Sequence, residues 1–164
     1  MELAPRRHGA DSPDLPALHA LIHSCFAPLN ARIDPPSSVA SLSLERLAAD
    51  AEAGEAWSLG EPPLACAILT PAPNHLYIGK IAVAPAARRS GLAQRLLALA
   101  EERARALDKP ALLLQSRVEL TENHALFRKA GFRETERTTH EGFDRPTSIT
   151  FAKSLVPDMT KSSD

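Results

Sequence analysis

The segment VAPAARRSGLAQRLLALAEERARAL, Val83 to Leu107, constrains the chain more than any other. An apolar strand tail stops at a proline, two arginines, a serine and a glycine follow, and a long helical pattern begins at once. Leu92, Leu96, Leu99, Ala100 and Leu107 fall on one arc of that helix, so it must lie with one face on a sheet. Arg103 lies inside the arc and is expected to snorkel out to water.

The flanking sequence supplies the rest of the sheet. Residues 2 to 7 suit a short first strand, and DSPDLPALHALIHSCF suits a helix with Asp11 or Ser12 as N-cap. The paired prolines and serines of APLNARIDPPSSVASL mark a long loop, and Ser43 to Ala53 reads as a second helix stopped by Gly54. EAWSLG, PLACAILTP and HLYIGKIAVAP form a meander of antiparallel strands. Beyond the long helix, KPALLLQS is a buried strand, LTENHALFRKAG a short helix, and FRETERTTH and PTSITFAKSL two last strands. The order β α α β β β α β α β β is α/β in the broad sense, or α+β by strict usage, around one mixed sheet. Trp57 and the leucine stripe are expected in the core.

The turn before the helix is where chemistry can sit. The amides of Arg88, Arg89, Ser90, Gly91, Leu92 and Ala93 are the unpaired first donors of the helix or lie just before it, at the positive end of its dipole. Gly91 admits close approach to the backbone, Ala93 keeps the next turn open, and the two arginines add charge at the rim, so a pyrophosphate suits the site. A plain loop with solvated arginines has the same local pattern. With 24% charged residues and a net charge of -1, the chain has no global basic field for nucleic acid or an anionic membrane. Cys25 and Cys66 lie apart in apolar runs, the N-terminus lacks a signal-peptide pattern, and no apolar run reaches the ~20 residues that span a bilayer. These features predict a cytoplasmic protein with a single domain over 1–155 and a loose tail over 156–164.

VAPAARRSGLAQRLL resembles the acetyl-CoA motif of the GNAT superfamily of N-acetyltransferases at Val83, Pro85, Arg88, Gly91 and Ala93. LTENHALFRKAGF resembles the second GNAT signature at Asn123, Leu126, Phe127, Gly131 and Phe132, with Ala125 suiting the N-x-A-L-Y form. The two lie in the family's order with one strand between them, whereas neither a Walker pattern nor G-x-G-x-x-G is present. The resemblance implies a mostly antiparallel mixed sheet, flanked by helices, in which the strands ending near Val83 and Ser116 splay apart to admit the pantetheine arm. It implies that the backbone of Ile81, Ala82 and Val83 pairs with that arm, that Asn123 bonds it, and that Phe127 lines the thiol end. The Val83 amide would meet the oxyanion.

The family's usual acid is a tyrosine where this chain has Phe127, and Tyr77 is ~20 Å from Val83 along an extended strand. Glu119, Glu122, His124 and His140 are the candidate bases; no spacing singles one out, and Glu122 is carried forward. His140, in the THEGFDRPT loop, and the NARIDPPSS loop are expected to border the acceptor. His19 and His23, four apart on a helix, lack a third ligand in the sequence, so no metal is expected. The implied function is transfer of an acetyl group from acetyl-CoA to a primary amine, of a small molecule rather than a protein, in a chain that as a GNAT relative is a candidate homodimer. The alternative is a catalytically inactive acyl-CoA-binding sensor or accessory protein.

Overall fold

The computed structural model describes residues 3–156. Its elements are β1 (Pro5–His8), α1 (Leu15–Phe26), α2 (Leu44–Ala53), β2 (Glu55–Leu59), β3 (Ala65–Ala72), β4 (His75–Val83), α3 (Leu92–Ala106), β5 (Ala111–Arg117), α4 (Thr121–Lys129), β6 (Arg133–Thr138) and β7 (Ser148–Ser154). The order is the one expected. The tail assigned to 156–164 lies outside the described residues except for Val156.

Two starts differ from expectation. The first strand runs from Pro5 to His8, and α1 begins at Leu15 with Asp14 as its N-cap, not at Asp11 or Ser12. A turn closed by the Ser12 amide on Gly9 O at 3.1 Å precedes the helix, whose first i to i+4 bond runs from the Leu18 amide to Asp14 O at 3.0 Å. The Ser12 hydroxyl instead accepts from the Asp14 amide at 3.2 Å and bonds the His8 ring at 2.8 Å. α2 begins as the sequence predicts, with Ser43 Oγ accepting from the Arg46 amide at 3.0 Å.

The strands form one seven-stranded sheet in the order β1-β2-β3-β4-β5-β7-β6. Only β4 and β5 run parallel; every other neighbouring pair is antiparallel. On one face α1 and α2 bury Leu18, Ile22 and Leu47 against Ala56, Cys66 and Ile68. On the other, α3 and α4 bury Leu96, Ala100 and Phe127 against Leu69, Ile78, Leu112, Leu114 and Phe151. Strand alternation explains the split in β3, where Ala65, Ala67 and Leu69 serve one layer and Cys66 and Ile68 the other.

β4 breaks that alternation once. Its register with β3 shifts between Ile68↔Gly79 and Cys66↔Ala82, leaving one extra residue on β4, and Lys80 there has φ +50°. An extra residue exchanges the two faces of everything beyond it. Leu76 and Ile78 accordingly pack toward α3, whereas Ala82, of the same parity, packs toward α1.

Arg103 does not snorkel. Its Nε and Nη2 donate to the two oxygens of Glu55 at 2.7 and 2.8 Å, and the Glu55 side chain is only 4% exposed. Trp57 Nε1 donates to the same carboxylate at 2.8 Å, and the Arg103 guanidinium lies 5.8 Å from the indole centroid. Trp57 is thus half-buried at the core's rim, its N–H spent on Glu55. A buried partner on β2, 48 positions away, decided the direction of Arg103.

Candidate functional site

β4 and β5 pair only at Leu76↔Leu112 and Tyr77↔Leu113, although β4 continues to Val83 and β5 to Arg117. Beyond Tyr77 the two strands part, as the resemblance implied. The bulge at Lys80 supplies a local cause, since bulges bend a strand and raise its twist.

The gap has a defined backbone edge. The Ala84 amide donates to Leu64 O at 2.7 Å, and antiparallel pairs alternate between bonded and unbonded, so the peptide groups of Ala82 and Ala84 turn to β3. Those of Ile81 and Val83 therefore turn to the gap. Ala82, the middle residue of the three, has its backbone toward β3 and is 2% exposed. The Val83 carbonyl accepts from Cys25 Sγ and from Arg88 Nε, each at 3.3 Å, and its amide is left aimed into the gap.

Past Val83 the chain makes a single 3-10 turn over Pro85–Ala87. The Arg88 amide, expected to be free, donates to Pro85 O at 3.4 Å, because that turn carries one residue further than the sequence suggests. Arg89 at φ +66° and Gly91 at φ +84° curl the backbone. Among the described residues, the amides of Arg89, Ser90, Gly91, Leu92 and Ala93 have no backbone acceptor. A Cβ on Gly91 would meet nothing within 4 Å, so its glycine answers to conformation, and the space over it is open. Arg88 and Arg89 are exposed and make no ion pair among the described residues, and Ser90 Oγ donates to Ala87 O. This is a row of free donors at the positive end of α3, one 3-10 turn beyond the edge of the gap.

Across the gap, Asn123 sits in the first turn of α4, half-buried, and its side-chain amide makes no hydrogen bond among the described residues. It is free to take a ligand. Phe127 is 7% exposed, with ring centroids 6.3 Å from Phe132 and 5.6 Å from Phe151. An aromatic ring with no hydroxyl to satisfy is drawn into the core. Tyr77, at the last position where β4 pairs β5, is half-buried, and that burial pushes its phenol upward.

Glu122 is paired. Its two oxygens take Arg32 Nη1 at 2.7 Å and Nη2 at 2.9 Å, and this bonding, with its own backbone amide, holds the carboxyl below the usual range. A carboxylate already paired and made more acidic is a poor base. The ring of His124 is buried and bonds Arg117 O at 2.8 Å beside Phe151. His140 is bonded through its amide and Nδ1 to Thr147 Oγ1. Glu119 differs: Oε2 lies 3.8 Å from Arg145, and Oε1 is buried with no hydrogen-bond partner.

The NARIDPPSS loop crosses the open end of the gap, held by three arginines that the sequence reading passed over. Arg32 reaches Glu122; Arg117 donates to Pro35 O and, at 3.1 Å, to Pro36 O; and Arg145 lies 3.7 Å from Asp34. Arg32 and its partner are 90 positions apart, so no local pattern marked them. His19 and His23 both direct Nε2 at Leu42 O, at 2.8 Å each. Among the described residues no three His, Cys, Asp or Glu side chains gather as a metal site.

Comparison with solved structures shows where the same fold occurs. The ribosomal-protein-S18-alanine N-acetyltransferase of Escherichia coli superposes with a TM-score of 0.68 at 21% identity, over 94% of this chain and 96% of that one. A GNAT family acetyltransferase from Elizabethkingia anophelis with acetyl-CoA bound superposes at 0.66 and 20% identity, over 93% and 98%. The IAA acetyltransferase of Bacillus cereus gives 0.66 and 20%, over 94% and 100%. No curated protein matches the sequence. Residues 17–132 match the acetyltransferase (GNAT) family, which takes in both motifs, the gap and the turn before α3. The chain belongs to the GNAT family of acetyltransferases.

Proposed function

We propose that this protein is a cytoplasmic enzyme, a single domain over 1–155, that transfers the acetyl group of acetyl-CoA to a primary amine of a small molecule. One observation carries the reading: the gap edge at Ile81 and Val83 leads, through one 3-10 turn, to the free amides from Arg89 to Ala93. A long, thin ligand with an amide-bearing arm and a pyrophosphate needs that sequence of donors. Ile81 and Val83 would hold the arm from one side and Asn123 from the other, and the Gly91 turn would take the phosphates.

Acetyl-CoA supplies an activated thioester. The neutral amine attacks its carbonyl carbon; the C–N bond forms, the C–S bond breaks, and the sulfur leaves as a thiolate that takes up a proton. The balance is R–NH3+ plus acetyl-CoA to N-acetylamine, CoA thiol and one proton. In that step the Val83 amide donates to the carbonyl oxygen as charge builds on it. Phe127 has no proton to give, so the thiolate takes its proton from water. The loop strapped over the end of the gap supports a small acceptor, because it makes a confined wall.

A thermal shift with acetyl-CoA, CoA, ATP and NAD in parallel tests the reading. A ligand at 100 times its Kd adds ~2.7 kcal/mol, or roughly 5 to 10 °C in a domain of this size. Stabilisation by acetyl-CoA and CoA alone is expected; a shift with ATP or NAD instead overturns it. The buried Phe127 favours a second reading, a binding protein without turnover. That reading predicts the same shift with no thiol release from acetyl-CoA across a panel of amines.

A further inference from the structure

Four candidate bases stand at the open end of the gap, and three are already committed. Glu122 is forked onto Arg32, His124 is spent on the Arg117 carbonyl, and His140 is tied to Thr147. Glu119 alone keeps a free lone-pair site. Its Oε1 is the one buried side-chain oxygen or nitrogen without a hydrogen-bond partner among the described residues.

Such an oxygen calls for a donor, because a desolvated carboxylate that is not hydrogen-bonded is strongly disfavoured. The neighbouring cations do not supply one. Arg117 feels the charge of both Glu119 and Asp34, yet its two terminal nitrogens donate to Pro35 O and Pro36 O. Arg145 lies 3.8 Å from Glu119 and 3.7 Å from Asp34, beyond hydrogen-bond length to either. The guanidinium groups balance the charge and leave the hydrogen bond unmade. A compact group with several N–H donors, an ammonium, is what the position lacks.

Its place in the fold fits that role. Glu119 follows the end of β5 at Arg117 and precedes α4 at Thr121, so it stands between the gap edge and the turn that carries Asn123. The loop from Asn30 to Ser38 and the loop holding Arg145 meet it there. Its side chain is 26% exposed as a whole and Arg145 sits on Oε2, so a ligand that displaces that loose contact reaches the carboxylate at Oε2, and Oε1 comes within its reach when the carboxyl turns.

We propose that Glu119 receives the ammonium group of the acceptor, which makes amines that are cationic at neutral pH the preferred substrates. This rests on the acyltransferase reading for the reaction but not for the binding. The probe is n-butylammonium chloride, titrated at constant ionic strength into protein carrying 13C at the glutamate side-chain carboxyls. One carboxyl resonance, absent from the Glu119→Gln variant, is expected to move and saturate; a Glu119 resonance that stays still overturns the proposal. With acetyl-CoA and n-butylamine, Glu119→Gln is expected to raise KM for the amine at least ~10-fold, while CoA stabilises variant and wild type equally. An unchanged KM overturns the role of Glu119. Loss of CoA stabilisation in the wild type, with the resonance still moving, overturns acyl transfer and leaves the ammonium site standing.

Discussion

Two arginine–carboxylate forks of nearly the same geometry occupy opposite conditions in this protein. Arg103 grips Glu55 at 2.7 and 2.8 Å, and Arg32 grips Glu122 at 2.7 and 2.9 Å. The Glu55 side chain is 4% exposed and the Glu122 side chain 54%. Distance alone would rank them equal. Solvent separates them: the first fork ties α3 to β2 where water cannot replace it, and the second spans the mouth of the gap, where water competes for each bond. The buried fork is part of the frame, and the exposed one is a fastening that can be undone.

The largest effect should come from the frame. Arg103→Ala leaves Glu55 buried without its main partner, and such losses cost about 3 to 5 kcal/mol, a fall in Tm of order 10 °C. A change no larger than that of a surface variant, read by thermal denaturation, would break the comparison. Acid sharpens it next. Both carboxyls are held below their ordinary range, Glu55 chiefly by its bonding to Arg103 and Glu122 by its bonding to Arg32. Each contribution is complete above an unfolded pKa of ~4.3 and is lost as pH falls through the depressed folded value. Glu55→Gln should therefore flatten the loss of stability below pH ~4.3, while Glu122→Gln should hardly alter it.

Helix α3 also joins frame to site, since Arg103 lies near its end and Gly91 at its start. Gly91→Ala should cost about 1 kcal/mol through its positive φ and little else, because the added methyl meets open space. Gly91→Glu should in addition weaken CoA at least ~10-fold, about 1.4 kcal/mol, by placing a carboxylate among the free amides. Wild-type CoA affinity in that variant, measured by calorimetry, would remove the phosphate site. The smallest effect belongs to the mouth. Arg32→Ala should change stability by less than ~1 kcal/mol, and a fall in Tm matching that of Arg103→Ala would erase the distinction between the two forks.

Much of the frame was legible before any coordinates. Element order follows from periodicity and punctuation, and the ends of most elements differ from expectation by a residue or two. The site was legible where it is local: Gly91, the arginines beside it and Asn123 lie in short segments whose spacing is itself the signal. It was illegible where partners meet across the fold. Nothing near Glu122 in sequence points to its pairing with Arg32, and nothing near Phe127 announces its packing on Phe151.

The sequence by itself determined the succession of helices and strands, the glycine turn that opens α3 and the two motifs that mark the family. These depend on neighbours within a turn or two of chain, where propensity and steric restriction act. Only the tertiary structure decided that one extra residue near Lys80 exchanges the faces of β4, that Ala82 turns away from the gap while Val83 turns into it, and that three arginines close the loop over its end. It also left Glu119 with an oxygen that has no hydrogen-bond partner among the described residues. Register, burial and the count of available donors are properties of segments brought together, and no single segment encodes them.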